Sequence, residues 1–185
     1  MGASFSTYLI YILLISLFVT TSLLLFLKRR NNKNVEEKAH RMIMAGNVSV
    51  FFDETGSVTI IPYVKNNYGI GKAVAQPVML CYPYKSDKLG EAIRTAMKLC
   101  ENGIPGTDAE LMGKLNFRDW KDFSRNKRNI SVHFDDNYGL VMNSTRRLVD
   151  GSYQFNFSRM EMNIGRNSTN IEIGEAILSL LPRCR

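Results

Sequence analysis

Two short stretches hold residue types that do chemistry. The first is Gly69-Ile70-Gly71-Lys72. A phosphate loop would need a glycine four residues ahead of the Gly-Lys pair and Ser or Thr after it, but Asn66 and Ala73 stand there. The dinucleotide pattern would need a third glycine where Val74 stands, so the stretch reads as a flexible glycine turn. The second is His133-Phe134-Asp135-Asp136. In a strand, His133 and Asp135 share a face, and one imidazole with two carboxylates is a thin donor set for a metal. Neither a second imidazole nor a thiolate stands near, and Asp-Asp-Asn-Tyr-Gly is what a hairpin turn asks for. The other histidine, His40, is remote in sequence. Cys81, Cys100 and Cys184 include no CxxC pair, which points to a reducing compartment rather than to zinc or a disulfide framework. Cys81 in an apolar run and Cys100 on a helix read as small core residues. The expectation is no metal, no cofactor and no catalytic residue, with a hydrolase around His133 as the enzymatic alternative.

Charge is distributed unevenly along the 185 residues. Residues 1–27 hold no Asp, Glu, Lys or Arg. The 23 residues from Phe5 to Leu27 would make about 34 Å of helix, enough for a hydrocarbon core of about 30 Å. A transmembrane helix over 5–27 is therefore expected. Lys28, Arg29, Arg30 and Lys33 follow it directly, which orients the C-terminal part to the cytoplasm and offers contacts to anionic headgroups of a bacterial inner membrane. Residues 28–46 read as a basic linker and 47–185 as one cytoplasmic domain. From Val48 onward there are 18 Lys+Arg and 15 Asp+Glu, too even a balance to argue for nucleic-acid binding. Aromatic residues make up 10% of the chain, too many for disorder.

The elements then follow from periodicity. Val48–Phe52 and Ser57–Lys65 alternate around Asp53-Glu54-Thr55-Gly56, a hairpin. Pro77–Tyr82 has strand length. Ser86 opens a helix with Leu89, Ile93 and Met97 at helical spacing, ended by Gly103. Phe117, Trp120 and Phe123 suggest a second helix over Asn116–Asn126. Ile130–Phe134 and Leu140–Ser144 form another hairpin, Ser152–Met160 alternates again, and a closing helix spans Asn170 to Leu181 before Pro182. Leu89-Gly90-Glu91-Ala92-Ile93 is echoed by Ile173-Gly174-Glu175-Ala176-Ile177. Glycine inside a helix costs about 1 kcal/mol against alanine, so both helices should pack closely against a sheet there. The fold class is α+β: a single small domain whose mainly antiparallel sheet is packed by two or three helices, preceded by one transmembrane helix.

From Pro77 on, the order of these pieces resembles a known family. A strand run leads into Ser86-Asp87-Lys88-Leu89-Gly90-Glu91-Ala92-Ile93. The Trp-containing segment Phe117-Arg118-Asp119-Trp120-Lys121-Asp122-Phe123 precedes the strand Ile130–Phe134, and Ile171-Glu172-Ile173-Gly174-Glu175-Ala176-Ile177 closes the chain. This resembles the immunity proteins of contact-dependent growth inhibition systems. The resemblance implies a small protein that binds the toxin domain of an effector, often a nuclease, and blocks it without catalysis. Against a cationic nuclease cleft, Asp119, Asp122, Asp135 and Asp136 are the candidate contacts. The expected partners are the cognate toxin domain and the lipid bilayer, with neither nucleic acid nor a small-molecule substrate. A tethered regulatory module with another protein partner is the alternative.

Overall fold

The computed structural model describes residues 19–25, 45–65, 71–157 and 161–185. Residues 19–25 are helical. The rest of the expected span over 5–27 lies outside the described residues, as do Lys28, Arg29, Arg30, Lys33 and His40. Among the described residues, no helix is long and apolar enough to cross a membrane. Met42–Arg185 forms one of two compact units, and the α+β architecture belongs to it.

The first hairpin joins β1 (Asn47–Phe52) to β2 (Val58–Lys65). The Asp53 carboxylate accepts the Thr55 and Ser57 N–H groups, and Gly56 takes the positive φ (87°) that closes the turn. Beyond β2 the sheet edge is shared by two three-residue strands, β3 (Gly71–Ala73) and β4 (Val78–Leu80). Pro62 faces the gap between them. Its missing N–H removes no ladder bond, and its carbonyl accepts Val74 N–H. On the other side, β1 pairs with β5 (Arg128–Asp135), which pairs with β6 (Gly139–Arg147). The outer edge of β6 is again shared, by β7 (Tyr153–Phe155) and β8 (Met162–Ile164). All of these pairings are antiparallel, and the main path runs β3-β2-β1-β5-β6-β7.

The two-residue period sends alternate side chains to opposite faces. Val48, Val50, Phe52, Ile60, Ile130, Val132, Leu140 and Met142 point to one face. There they meet Leu89, Ile93 and Met97 of α1 (Ser86–Asn102) and Ile173, Ile177 and Leu180 of α4 (Asn170–Leu180). On the opposite face, Phe51 and Ile61 are capped by α2 (Asp108–Leu115) and the single turn α3 (Trp120–Phe123) through Leu111, Met112, Leu115 and Phe123.

The echoed glycines do pack closely, but against each other's helix rather than the sheet. A Cβ on Gly90 would overlap the Asn170 carbonyl, and one on Gly174 would overlap that of Ser86. Arg94 extends the contact, donating from Nε to Asn170 Oδ1 (2.9 Å) and from Nη2 to Ser168 O (2.7 Å). Ser86 thus meets Gly174, and Gly90 meets Asn170, so the two helices run past each other in opposite directions with their first turns in backbone contact.

Three more expectations are corrected. Asn116–Asn126 is not one helix: both asparagines have positive φ, 59° and 57°, and Asn116 is the left-handed cap that ends α2. Ser86 is the first residue of α1, not its cap; Lys85 precedes it with no side-chain cap bond. Cys81 lies past the end of β4 and is exposed, not core, whereas Cys184 is buried and Cys100 is half-buried with its thiol on Asn47 O (3.2 Å).

Candidate functional site

The sheet face that carries α2 and α3 is only half covered. At the Phe52–Arg128 end it is filled by aromatic rings. Phe51 lies 5.6 Å from Trp120, 5.0 Å from Phe123 and 5.5 Å from Tyr153, all edge-on. Trp120 Nε1 donates to Gly151 O, and the Tyr153 hydroxyl shares its proton between the carbonyls of Ser124 and Lys127, just after α3. Burial pushes the Tyr153 phenol up to about 12. At the other end the alternation delivers polar residues. Asn47 is abreast of Tyr63 on one side and His133 on the other, and Ser49 is abreast of Ser131. Asn47, Tyr63, Ser131 and His133 line a cavity of about 540 Å³ together with Gly46, Cys100 of α1, Phe134, Asp136 and Phe155. Tyr63 divides this cavity from a second one of about 480 Å³ lined by Lys72, Thr107, Asp108 and Trp120. Burial raises the Tyr63 phenol above its ordinary range, against the pull of its hydrogen bond with Ser49.

A lining of amide, phenol, hydroxyl and imidazole groups beside an exposed phenylalanine suits recognition of another polypeptide. Among the described residues no three His, Cys, Asp or Glu side chains group as a metal site would need. Gly71 and Lys72 lie in β3, where Gly71 pairs with Lys65 and Lys72 with Val64; Gly69 and Ile70 lie outside the described residues.

The four candidate aspartates are split. Asp119 caps α3, accepting Asp122 N–H (2.7 Å), and is paired with Arg118 (3.0 Å). Asp122 is paired with Arg125 at 3.5 Å. Asp135 builds the β5–β6 turn by accepting Asn137 and Tyr138 N–H groups. Asp136 lines the polar cavity. Lys127 at the β5 start donates to Phe123 O of α3, whereas Asp135 closes the strand, so the two pairs stand at opposite ends of an eight-residue strand, roughly 25 Å apart along it. Of the four, Asp136 is the one placed at the cavity. The residues that sequence reasoning passed over are Tyr63 and Phe155. Strand parity places Tyr63 on the Ser49 face, and that signal was available in the hairpin.

A buried carboxylate ties the edge of β6 to the end of the chain. Glu161 has a side chain only 4% exposed. Its carboxylate accepts Ser144 N–H at 2.7 Å and Arg183 Nη1 at 3.0 Å, filling the gap between β7 and β8 on the β6 edge. Burial pushes its pKa up, but the Ser144 bonds and Arg183 outweigh burial and hold it below the ordinary range. The capping carboxylates Glu110, Glu172 and Asp119 are lowered as well, chiefly by main-chain N–H groups. Lowered folded-state values mean stability that is present above the usual carboxylate range and lost as pH falls through the folded values. Urea midpoints should therefore hold steady from pH 7 to about 5 and fall below about pH 4. Glu161→Gln should flatten part of that fall, and an unchanged profile would refute the role given to Glu161.

Neither a known family nor a curated protein matches the chain. Solved structures do. A protein of unknown function from Neisseria meningitidis superposes with a TM-score of 0.58 at 14% identity, covering 78% of this chain and 98% of its own. A chain of the CdiA-CT/CdiI toxin and immunity complex from Yersinia pseudotuberculosis superposes with a TM-score of 0.57 at 12% identity, covering 78% and 99%. The fold is that of these small α+β proteins, and the matched region accounts for nearly the whole of each.

Proposed function

We propose that this chain is a membrane-anchored immunity protein that binds and occludes the toxin domain of a contact-dependent growth inhibition effector. The supporting observation is the fold shared over 99% of the neighbour's length with a chain of a toxin and immunity complex. The motif order read from Pro77 onward points the same way. Neutralisation requires only a complementary surface, about 800 Å² per partner. In this reading the polar cavity lined by Asp136 and Phe155 is part of that surface. Residues 5–27 followed by Lys28, Arg29, Arg30 and Lys33 would hold this domain on the cytoplasmic side of the inner membrane, where an incoming toxin emerges. Tethering raises the local concentration without a new contact. The protein performs no reaction in this reading.

Co-expression with a toxin domain taken from a neighbouring effector gene tests the proposal. Cells should survive and the two chains should co-purify. Death of the cells without a complex would remove the immunity reading, and turnover of nucleic acid by the purified chain would remove the non-catalytic one. A reporter fused after Arg185 should work only in its cytoplasmic form.

A further inference from the structure

The segment after β7 leads from the polar cavity directly to a second feature. Phe155 lines that cavity, while Asn156 and Phe157 line a separate pocket of about 520 Å³ with Arg146, Pro182, Arg183 and Arg185. The arginines come from β6 and from the end of the chain, which is drawn in because Arg185 N–H donates to Thr145 O and its carbonyl accepts Arg147 N–H. Among the described residues, no acidic side chain lines the pocket. Arg183 spends one nitrogen on Glu161 and Arg146 spends one on Gln154 (2.8 Å), leaving the rest of each fork for a ligand. The ring among them, Phe157, is open to solvent at 55% exposed. Exposed aromatics beside arginines are the composition that carries binding energy in protein interfaces.

We propose that this pocket receives an acidic segment of the protein partner, its carboxylates on Arg146, Arg183 and Arg185 and an apolar neighbour on Phe157. This deepens the toxin-binding reading and rests on it for the partner's identity. It also reverses the charge expected from the aspartates. Three of those are already engaged by caps, turns or ion pairs, whereas Arg146, Arg183 and Arg185 line a pocket with no acidic side chain in its described lining.

The test uses the full chain and the double variant Arg146→Gln/Arg185→Gln. Arg183 is left in place because it supports Glu161. A Gly-Glu-Glu-Glu-Gly peptide should shift the amide signals around Phe157 in low salt. In the variant its binding should weaken about tenfold, with the thermal midpoint unchanged. The variant should also lose protection in the co-expression assay. Protection by both the native chain and the variant would overturn this inference and leave the immunity reading standing. Failure of the native chain to protect would overturn the immunity reading, and the peptide titration then decides the pocket alone. Stronger binding of inorganic phosphate or single-stranded RNA than of the peptide would overturn the inference in favour of a phosphate site.

Discussion

Alanine at Gly90 or Gly174 will lower stability by about 3 kcal/mol, a fall of roughly 10 °C in the thermal midpoint, although alanine is the better helix former. The two effects oppose each other. Helix propensity favours alanine by about 1 kcal/mol. Against that, a Cβ at Gly90 would sit 2.6 Å from the Asn170 carbonyl carbon, and one at Gly174 would sit 2.7 Å from that of Ser86. Neither neighbour is the end of a flexible side chain. Each is main chain in the first turn of a helix, and the Asn170 turn is further held by Arg94 on Asn170 and Ser168. The helices must move apart, and in doing so they loosen the layer over Val50, Ile130 and Met142. Gly113 is the control. It lies in α2 with nothing within 4 Å of where a Cβ would go, so Gly113→Ala should stabilise by up to about 1 kcal/mol. Melting curves of the three single variants check this. Equal, small shifts at all three positions would refute the crossing as described.

The second large effect is at Phe51. It is 1% exposed and is the hub of three edge-on ring contacts, to Trp120, Phe123 and Tyr153. Phe51→Ala should cost about 3–5 kcal/mol, because α3 is too short to collapse onto the space left behind. Phe51→Leu keeps most of the volume and should cost less than about 1.5 kcal/mol. Trp120 is the only tryptophan in the chain and half-buried against Phe51. Its fluorescence should therefore shift toward the solvent-exposed value in Phe51→Ala before global unfolding, while urea midpoints report the stability difference. A Phe51→Ala variant with native fluorescence and native midpoint would mean that the aromatic cluster does not hold this end of the sheet face.

Much of the fold was legible in the chain because it is local. The hairpin at Asp53–Gly56 and the one at Asp135–Gly139 declare themselves by alternation around turn residues, and α1 and α4 declare themselves by their helical spacing. Thr107 and Glu110, like Thr169 and Glu172, form capping boxes. The first of these was a readable sign of α2, overshadowed by the aromatic spacing of Phe117, Trp120 and Phe123. That spacing belongs to a segment draped over Phe51 and punctuated by two left-handed asparagines, since rings three apart also arise where a loop covers a sheet. The three-residue strands β4 and β7 fall inside the longer runs read at Pro77–Tyr82 and Ser152–Met160, whereas β3 and β8 carry too little pattern to be read alone. Their pairing is decided by the neighbour that completes the ladder.

By itself, the sequence determined the alternating strands, the two long helices, the absence of any recognisable phosphate or metal motif, and an uncharged N-terminal stretch followed by basic residues. These come from side-chain period and composition, which act over a few residues. Only the tertiary structure decided that Gly90 and Gly174 serve each other's helix, that the four aspartates fall at opposite ends of β5, and that Arg146, Arg183 and Arg185 meet beside Phe157. The reason is that proximity between residues far apart in the chain is created by sheet register and helix crossing, and neither is a property of any local run of amino acids.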